Sequence, residues 1–417
     1  MKKVTAVLLA ICLLFIAGCS NIAGCSKKTS SSSNTTQSTS SSATPNQVGT
    51  AKKSESSAES ASASAAALAQ RKAVALKALS DVMLNKAQFC NINTGISIYL
   101  KNLSVADTGA NTDEGTYRMT SFQVLDVDGD GVPEAIVQAK LSSPTIDDQQ
   151  SIILRYYDGR IDGYLFQPVT EDIATGAGGF AKNGWFSSMD SARDNTVEKI
   201  RFLGLQLDST NVMVSQADDN WNTISFYLYD IPVSPDLCSG QMDKVEGNAA
   251  PSYAYSEANI MKQITDRPAS ADPTPTLSNA NLVARQNYLD GLADQASFDS
   301  AMLVMDSMTP EKMRTGYYLS WDNELNKIYG LLEKKLPAGQ MDALRKDEQE
   351  WLMVRDLDAA HIQEYQRGSY TSSNEMGKYL TLGDVTKNRT LYLIDLYFGD
   401  TSQPSTTSII QKYGLKK

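Results

Sequence analysis

The sequence predicts a multidomain α+β protein with a lipidated disordered tether, a β-rich central domain and a C-terminal all-α helical hairpin or bundle. Three observations carry this reading. Residues 20–66 are mostly Ser, Thr, Ala and Asn. Short β-rich runs broken by Gly, Asn and Asp fill 117–235. From Trp321 to Asp356 apolar residues recur at steps of three and four, the period of one helix face. The 417 residues suit two or three domains, and 41% hydrophobic content suffices for folded cores. The net charge of −10 speaks against nucleic acid, whose phosphates require clustered Lys and Arg. It leaves room for cations and basic proteins. A single His argues against His-based catalysis and multi-His zinc sites.

The N-terminus reads as an address. Met1-Lys2-Lys3 is a basic start, and Val4 to Ala17 is an apolar run too short to span comfortably as a mature helix. Ile16-Ala17-Gly18-Cys19 follows. This order resembles a bacterial lipobox, which implies a signal peptide over 1–18 and lipidation (palmitate or a similar acyl chain) at Cys19. It further implies anchoring to the cell membrane on its extracytoplasmic face. A second copy of the pattern, Ile22-Ala23-Gly24-Cys25, leaves Cys25 as the alternative. Residues 19–66 are too polar to offset their chain entropy by burial, so a disordered tether is expected there.

The first folded unit is expected over 67–250. It begins with an Ala-rich helix at 67–90, whose apolar face is Val74, Ala78, Leu79, Val82 and Met83. The runs FQVLDVD, AIVQAKL, SIILRYYDG, GYLFQP, KIRFLGLQL and TISFYLYDI then read as strands. Within them lies Asp126-Val-Asp128-Gly-Asp130-Gly131-Val132-Pro-Glu134. Carboxylates at positions one, three and five converge when such a chain curls, and Gly131 permits the turn. The Val132 carbonyl and Glu134 complete an oxygen set suited to Ca²⁺. Val137 stands where an EF-hand has its bidentate Glu, and a strand follows instead of a helix. An acidic Asp/Gly hairpin turn without metal fits the same residues. Residues 117–235 hold 17 acidic and 8 basic side chains, an imbalance that a dication would relieve. The loop resembles the DxDGDG loops of integrin-like β-repeat surface proteins, and the wider block is similar to a domain of lipoproteins from low-GC Gram-positive bacteria. Cys90 and Cys238 bracket the unit and are either paired outside the cytoplasm or free and buried.

Pro268, Pro273 and Pro275 mark a linker over 265–278. The C-terminal unit spans 279–400. A helix is expected at 279–304, with Leu282, Tyr288, Leu289, Leu292 and Phe298 on its apolar face. Thr309-Pro310 reads as an N-cap followed by Pro at the first helical position. Leu325, Ile328, Leu332 and Leu336 make one stripe, and Met341, Leu344, Glu348, Trp351 and Arg355 a second. Pro337 and Gly339 separate them, as in an antiparallel hairpin. A polar loop is expected at 368–374, a third helix at 376–398, and a frayed tail at 401–417, with Ile409 and Ile410 able to dock.

Three short motifs recur in this unit: Glu324, Leu325 and Tyr329; Trp351, Arg355 and Asp356; Thr386 and Arg389. In this order and spacing, 305–398 resembles the LprI-type lysozyme-inhibitor domain. The resemblance implies an all-α module that binds lysozyme. Where many members of that family carry two Cys, Ala359 and Thr381 stand here. The motif residues themselves read mostly as structural. Trp351 and Arg355 lie one turn apart, within cation–π reach, and Arg355 or Arg389 is expected to pair with Glu324 or Asp356. Direct contact with a target by the same side chains is the other reading. His361 reads as an ordinary helix residue.

The functional expectation is a cell-surface binding and protection module, not an enzyme, with lysozyme or another basic envelope protein as partner. A Ca²⁺-stabilised surface interaction or adhesion protein is the alternative. An envelope hydrolase is least favoured, because no nucleophile–base pair is visible and the only clustered carboxylates sit in the metal-like loop.

Overall fold

The computed structural model describes residues 52–108, 115–142, 149–166, 180–182, 184–191, 194–217, 223–229, 231–234, 249–267, 277–302, 309–365, 371–401 and 404–413. Cys19, Cys25 and Cys238 lie outside these residues, as does most of the expected linker. No helix among the described residues is long and apolar enough to cross a membrane.

The α+β architecture is present. Helix α1 (Lys52–Met83) leads into a seven-stranded sheet in the order β12-β3-β4-β5-β6-β1-β2. Its strands are β1 (Phe89–Asn91), β2 (Ile96–Ile98), β3 (Tyr117–Leu125), β4 (Glu134–Leu141), β5 (Gln149–Tyr157) and β6 (Arg160–Phe166). The late strand β12 (Tyr253–Ala254) completes it. All its pairings are antiparallel except β1 on β6. A second, five-stranded antiparallel sheet holds β7 (Trp185–Ser191), β8 (Asp194–Leu203), β9 (Gln206–Ala217), β10 (Thr223–Leu228) and β11 (Ile231–Pro232).

Strand periodicity divides the core. Val137, Ile152 and Leu154 face α1, where Leu79, Val82 and Met83 meet them. Their neighbours Ile136 and Ile153 point the other way, toward Ile200 and Phe202 of the second sheet. Strands buried on both faces read as continuous apolar runs, which is why AIV and SIIL lack alternation. The β5–β6 hairpin turns on Asp158 and Gly159, both at positive φ (46° and 83°), as a two-residue turn between right-twisted strands requires.

The C-terminal unit is helical. Helix α3 (Asn279–Asp290) and α4 (Ala293–Met302) follow the short α2 (Glu257–Ile260). Next come a turn at Pro310–Lys312, a π-helical segment at Met313–Tyr318 and α5 (Leu319–Lys335). Helices α6 (Ala338–Tyr365), α7 (Thr371–Phe398) and α8 (Thr406–Tyr413) complete it. Thr309 caps as expected, its hydroxyl accepting from the Lys312 N–H at 3.3 Å. Trp321, Leu325, Ile328, Leu332, Met341, Leu344, Trp351 and Leu393 form one core. Gly383 lets α7 approach the π segment, since a Cβ there would lie 2.1 Å from the Tyr317 ring.

Five expectations require correction. Residues 52–66 are helical, continuing α1 backward. Their polar composition suggested disorder, but Ala, Glu, Lys and Ser sustain a helix once the following turns are docked. Val74 is 44% exposed, because the docked face of α1 is Leu68, Ala75, Leu79 and Val82. The helix expected at 279–304 is two, broken at Gly291 and Leu292, and Phe298 is exposed. The loop at 368–374 gives way to α7 from Thr371. The tail is not frayed over 406–413, because Ile409 is buried against Leu228 and Ile231.

Candidate functional site

Two places gather the residues singled out by sequence. The first is the β3–β4 connection. Asp126 Oδ1 and Oδ2 accept from the N–H groups of Asp130 (3.0 Å) and Gly131 (2.9 Å). Asp128 Oδ1 accepts from the Asp130 N–H at 3.1 Å, and Asp130 Oδ1 from the Val132 N–H at 2.7 Å. These bonds curl the loop back on its own carboxylates. Gly129 and Gly131 supply positive φ, 71° and 87°. Ligand atoms of Asp126, Asp128 and Asp130 consequently lie within 4.8 Å of one another. Glu134 is buried beside them but commits Oε2 to the Val127 N–H at 2.9 Å.

The electrostatics follow from this crowding. Burial, then repulsion from Asp130 and Asp128, raises the Asp126 carboxyl well above its usual value. Burial and Asp128 push Asp130 up to about 6, against the pull of Arg71. Glu134 is raised for the same reasons. Three arginines from distant elements answer the charge. Arg71 of α1 donates to Asp130 Oδ2 at 2.7 Å. Arg155 of β5 places Nη2 3.8 Å from Asp128 Oδ2 and stacks over Phe202 at 4.1 Å. Arg285 of α3 donates to the carbonyls of Asp128 (3.0 Å) and Gly129 (2.7 Å). The loop is therefore a junction of the first helix, the sheet and the helical unit. Leu68, Val132, Leu277 and Leu282 seal its apolar side. Asp128 Oδ2 is buried without a hydrogen-bond partner. Its nearest cationic group is Arg155 Nη2 at 3.8 Å, and three converging carboxylates are the kind of donor set that suits a hard, oxygen-liganded cation.

The second place is the helical hairpin. Arg389 of α7 is buried between two acids of α6, with Nη2 at 2.5 Å from Asp347 Oδ2 and 2.6 Å from Glu348 Oε1. Its guanidinium also lies over Trp351, 5.6 Å from the ring centroid, and Arg355 lies over the same ring at 5.3 Å. Arg355 pairs with Asp322 at 3.6 Å and with its neighbour Asp356 at 2.9 Å. The expected partner Glu324 is instead taken by the Tyr288 hydroxyl (2.6 Å) and Lys327 (3.0 Å). Leu325 and Thr386 are buried, Tyr329 is half-buried at the core edge, and Ala359 is buried in α6. Thr381 spends its hydroxyl on the Gly377 carbonyl at 3.0 Å. The side chain of His361 lies outside the described residues.

The motif residues thus mostly hold shape. What the hairpin offers outward is a stripe the sequence reading passed over: Leu352 (40% exposed), Met353 (44%) and Leu357 (67%) on α6. These apolar residues fall out of phase with the buried stripe of Met341, Leu344 and Trp351, and that phase mismatch was the available signal. The anchoring arginines Arg71, Arg155 and Arg285 were also missed. Each meets a partner far away in sequence, so no local spacing marks it.

No curated protein and no solved structure matches the chain. Residues 308–393, which contain α5, α6 and most of α7, match the family model described as Lysozyme inhibitor LprI.

Proposed function

We propose that the helical unit is an inhibitor-type binding module that blocks lysozyme by steric occlusion. In this reading an acyl chain on Cys19 holds it at the extracytoplasmic face of the cell membrane. The observation that carries the reading is the family match over 308–393. The geometry is consistent with it. Most motif side chains are spent on internal packing, leaving Leu352, Met353 and Leu357 as an apolar contact strip beside the exposed Asp356. Residues 305–400 carry 16 acids and 12 bases, a sign that suits a basic protein such as lysozyme. Inhibition by occlusion needs no chemistry from this chain. The test is a wall-clearing assay in which the full chain is titrated against lysozyme. Loss of clearing near stoichiometry supports the reading, and unchanged clearing at micromolar excess overturns it.

A second reading concerns the acidic loop. Asp126, Asp128 and Asp130, with the Val132 carbonyl and Glu134 nearby, would hold Ca²⁺ as a structural ion of a surface interaction protein. The convergence of the three carboxylates within 4.8 Å of one another favours it. When bound, such an ion would supply positive charge to a crowded set of carboxylates. Calorimetry with CaCl₂ on the wild type and Asp128→Asn tests this, and absence of heat in both would remove the ion from the account.

A further inference from the structure

The second sheet and the helical unit are joined by a charge cluster centred on Lys387. Asp208 of β9 lies opposite Arg201 in the β8–β9 ladder and forms an ion pair with Lys387 of α7, both side chains 14% exposed. The Lys387 ammonium also lies over the Trp321 ring of α5, 5.6 Å from its centroid. The indole N–H of that ring donates to Asp299 Oδ2 of α4 at 2.6 Å, and Gln295 donates to Asp299 Oδ1 at 2.6 Å. Asp384, one turn before Lys387 on α7, accepts from the Tyr317 hydroxyl of the π segment. One ammonium is therefore faced by three carboxylates, from β9, α4 and α7. The tip of the β8–β9 hairpin is seated by apolar contact. Leu203 joins the helical core, and Gly204 lets the turn meet Ala293 of α4.

The three acids are not equivalent. Asp208 has the ammonium in contact and the Arg201 charge nearby. Asp384 is exposed to solvent. Asp299 is 3% exposed, and its hydrogen bonds come from neutral donors. Three carboxylates outnumber one ammonium, and Arg201 already answers Asp395, so full ionisation leaves surplus negative charge in a closed interface. The surplus falls on Asp299, the most buried of the three. Burial raises its carboxyl to about 6, against its two N–H bonds and Lys387, and Asp208 adds to the rise. Tyr317 faces the same space.

We propose that Asp299 is a proton-operated release for the clasp between β9 and α7: its protonated form leaves Lys387 to Asp208, and its carboxylate draws Lys387 away from β9 toward α4. As pH rises through about 6 the proton leaves, and two acids on different elements compete for one lysine. The clasp is closed in acid and loosened at neutral pH. Leu203 stays in the helical core, so the loosening is local to β9.

The experiment is hydrogen exchange read by mass spectrometry on the full chain, at about pH 5 and about pH 7.5, with each rate divided by its intrinsic value. In the wild type, β9 peptides containing Asp208 are expected to lose about tenfold in protection from the lower to the higher pH, and more than peptides of β4 in the first sheet. In Asp299→Asn, β9 protection is expected to stay level between the two. Lys387→Met, which has no ammonium to share, is expected to protect β9 less than the wild type does in acid and to show no such fall. Equal β9 protection at both pH values in the wild type overturns the release. So does a wild-type fall in either variant, which keeps the test decisive if one of them fails to fold. An equal fall in β9 and β4 assigns the effect to global unfolding and overturns the local clasp.

Discussion

Arg201 and Asp395 face each other through two parallel hydrogen bonds, 3.0 and 2.6 Å long, with both side chains 2% exposed. One residue belongs to β8 and the other to α7, so this pair joins the second sheet to the helical unit. Arg285 adds a third charge, 3.6 Å from Asp395. The Arg201, Arg285 and Lys199 charges hold the Asp395 carboxyl below its usual range although burial alone would raise it.

Removing one partner strands a buried charge. Arg201→Met is expected to destabilise the protein by about 3–5 kcal/mol, whereas Arg201→Met combined with Asp395→Leu recovers a large part of that loss. Urea denaturation of the two variants and the wild type measures both terms. Additive losses in the double variant would show that the pair is not coupled.

Asp299 provides a pH signature. Burial pushes its carboxyl up to about 6, although it accepts from the Trp321 indole N–H and Gln295, each at 2.6 Å. A carboxyl whose folded pKa is raised binds its proton more tightly in the folded state. Its contribution is therefore largest below the unfolded value of 3.8 and is lost as pH rises to about 6. The slope between these values amounts to at most about 3 kcal/mol. Asp299→Asn should flatten that part of the stability profile relative to the wild type. Trp321 fluorescence should titrate in the same window in the wild type and remain level in the variant.

The proposed contact strip of α6 can be tested separately from folding. Leu352→Glu with Leu357→Glu is expected to abolish lysozyme inhibition while leaving the melting temperature within a few degrees, since both side chains are already exposed. Trp351→Ala, by contrast, should lower the melting temperature by removing a core ring flanked by two arginines. Retained inhibition in the Leu352/Leu357 variant would move the contact surface elsewhere on the unit.

The proposed acyl anchor at Cys19 has a direct test. Cys19→Ala should eliminate labelling by radioactive palmitate in cells and release the protein into the soluble fraction, while Cys25→Ala leaves both unchanged. The reverse pattern would assign the acyl chain to Cys25.

Local signals were legible and distant ones were not. Thr309-Pro310 and the Leu325–Ile328–Leu332 stripe each act within one or two turns of chain, so their spacing announces them. The curl of the acidic loop was legible for the same reason. Arg285 on the Asp128 carbonyl spans 157 positions and Arg201 on Asp395 spans 194. Charges paired across such distances leave no period in the sequence. Residues 52–66 misled because their composition lacks the apolar faces by which docked helices are recognised, and the docking occurs further along, from Leu68. The ordering of 406–413 depends on Asp347, whose Oδ1 accepts from the Thr407 N–H at 2.6 Å and thereby satisfies an open donor at the start of α8.

The threading of the first sheet has a consequence for how the chain matures. Its edge strand β12 comes from residues 253–254, after the entire second sheet, and pairs with β3. Ribosomes deliver the chain from the N-terminus, so β3 waits with an open edge until the second sheet has been made. Arg201 then waits longer still for Asp395. The helical unit can close onto β8 only once α7 is made: a chain truncated before Asp395 would carry the strands of both sheets but leave Arg201 without its bidentate partner.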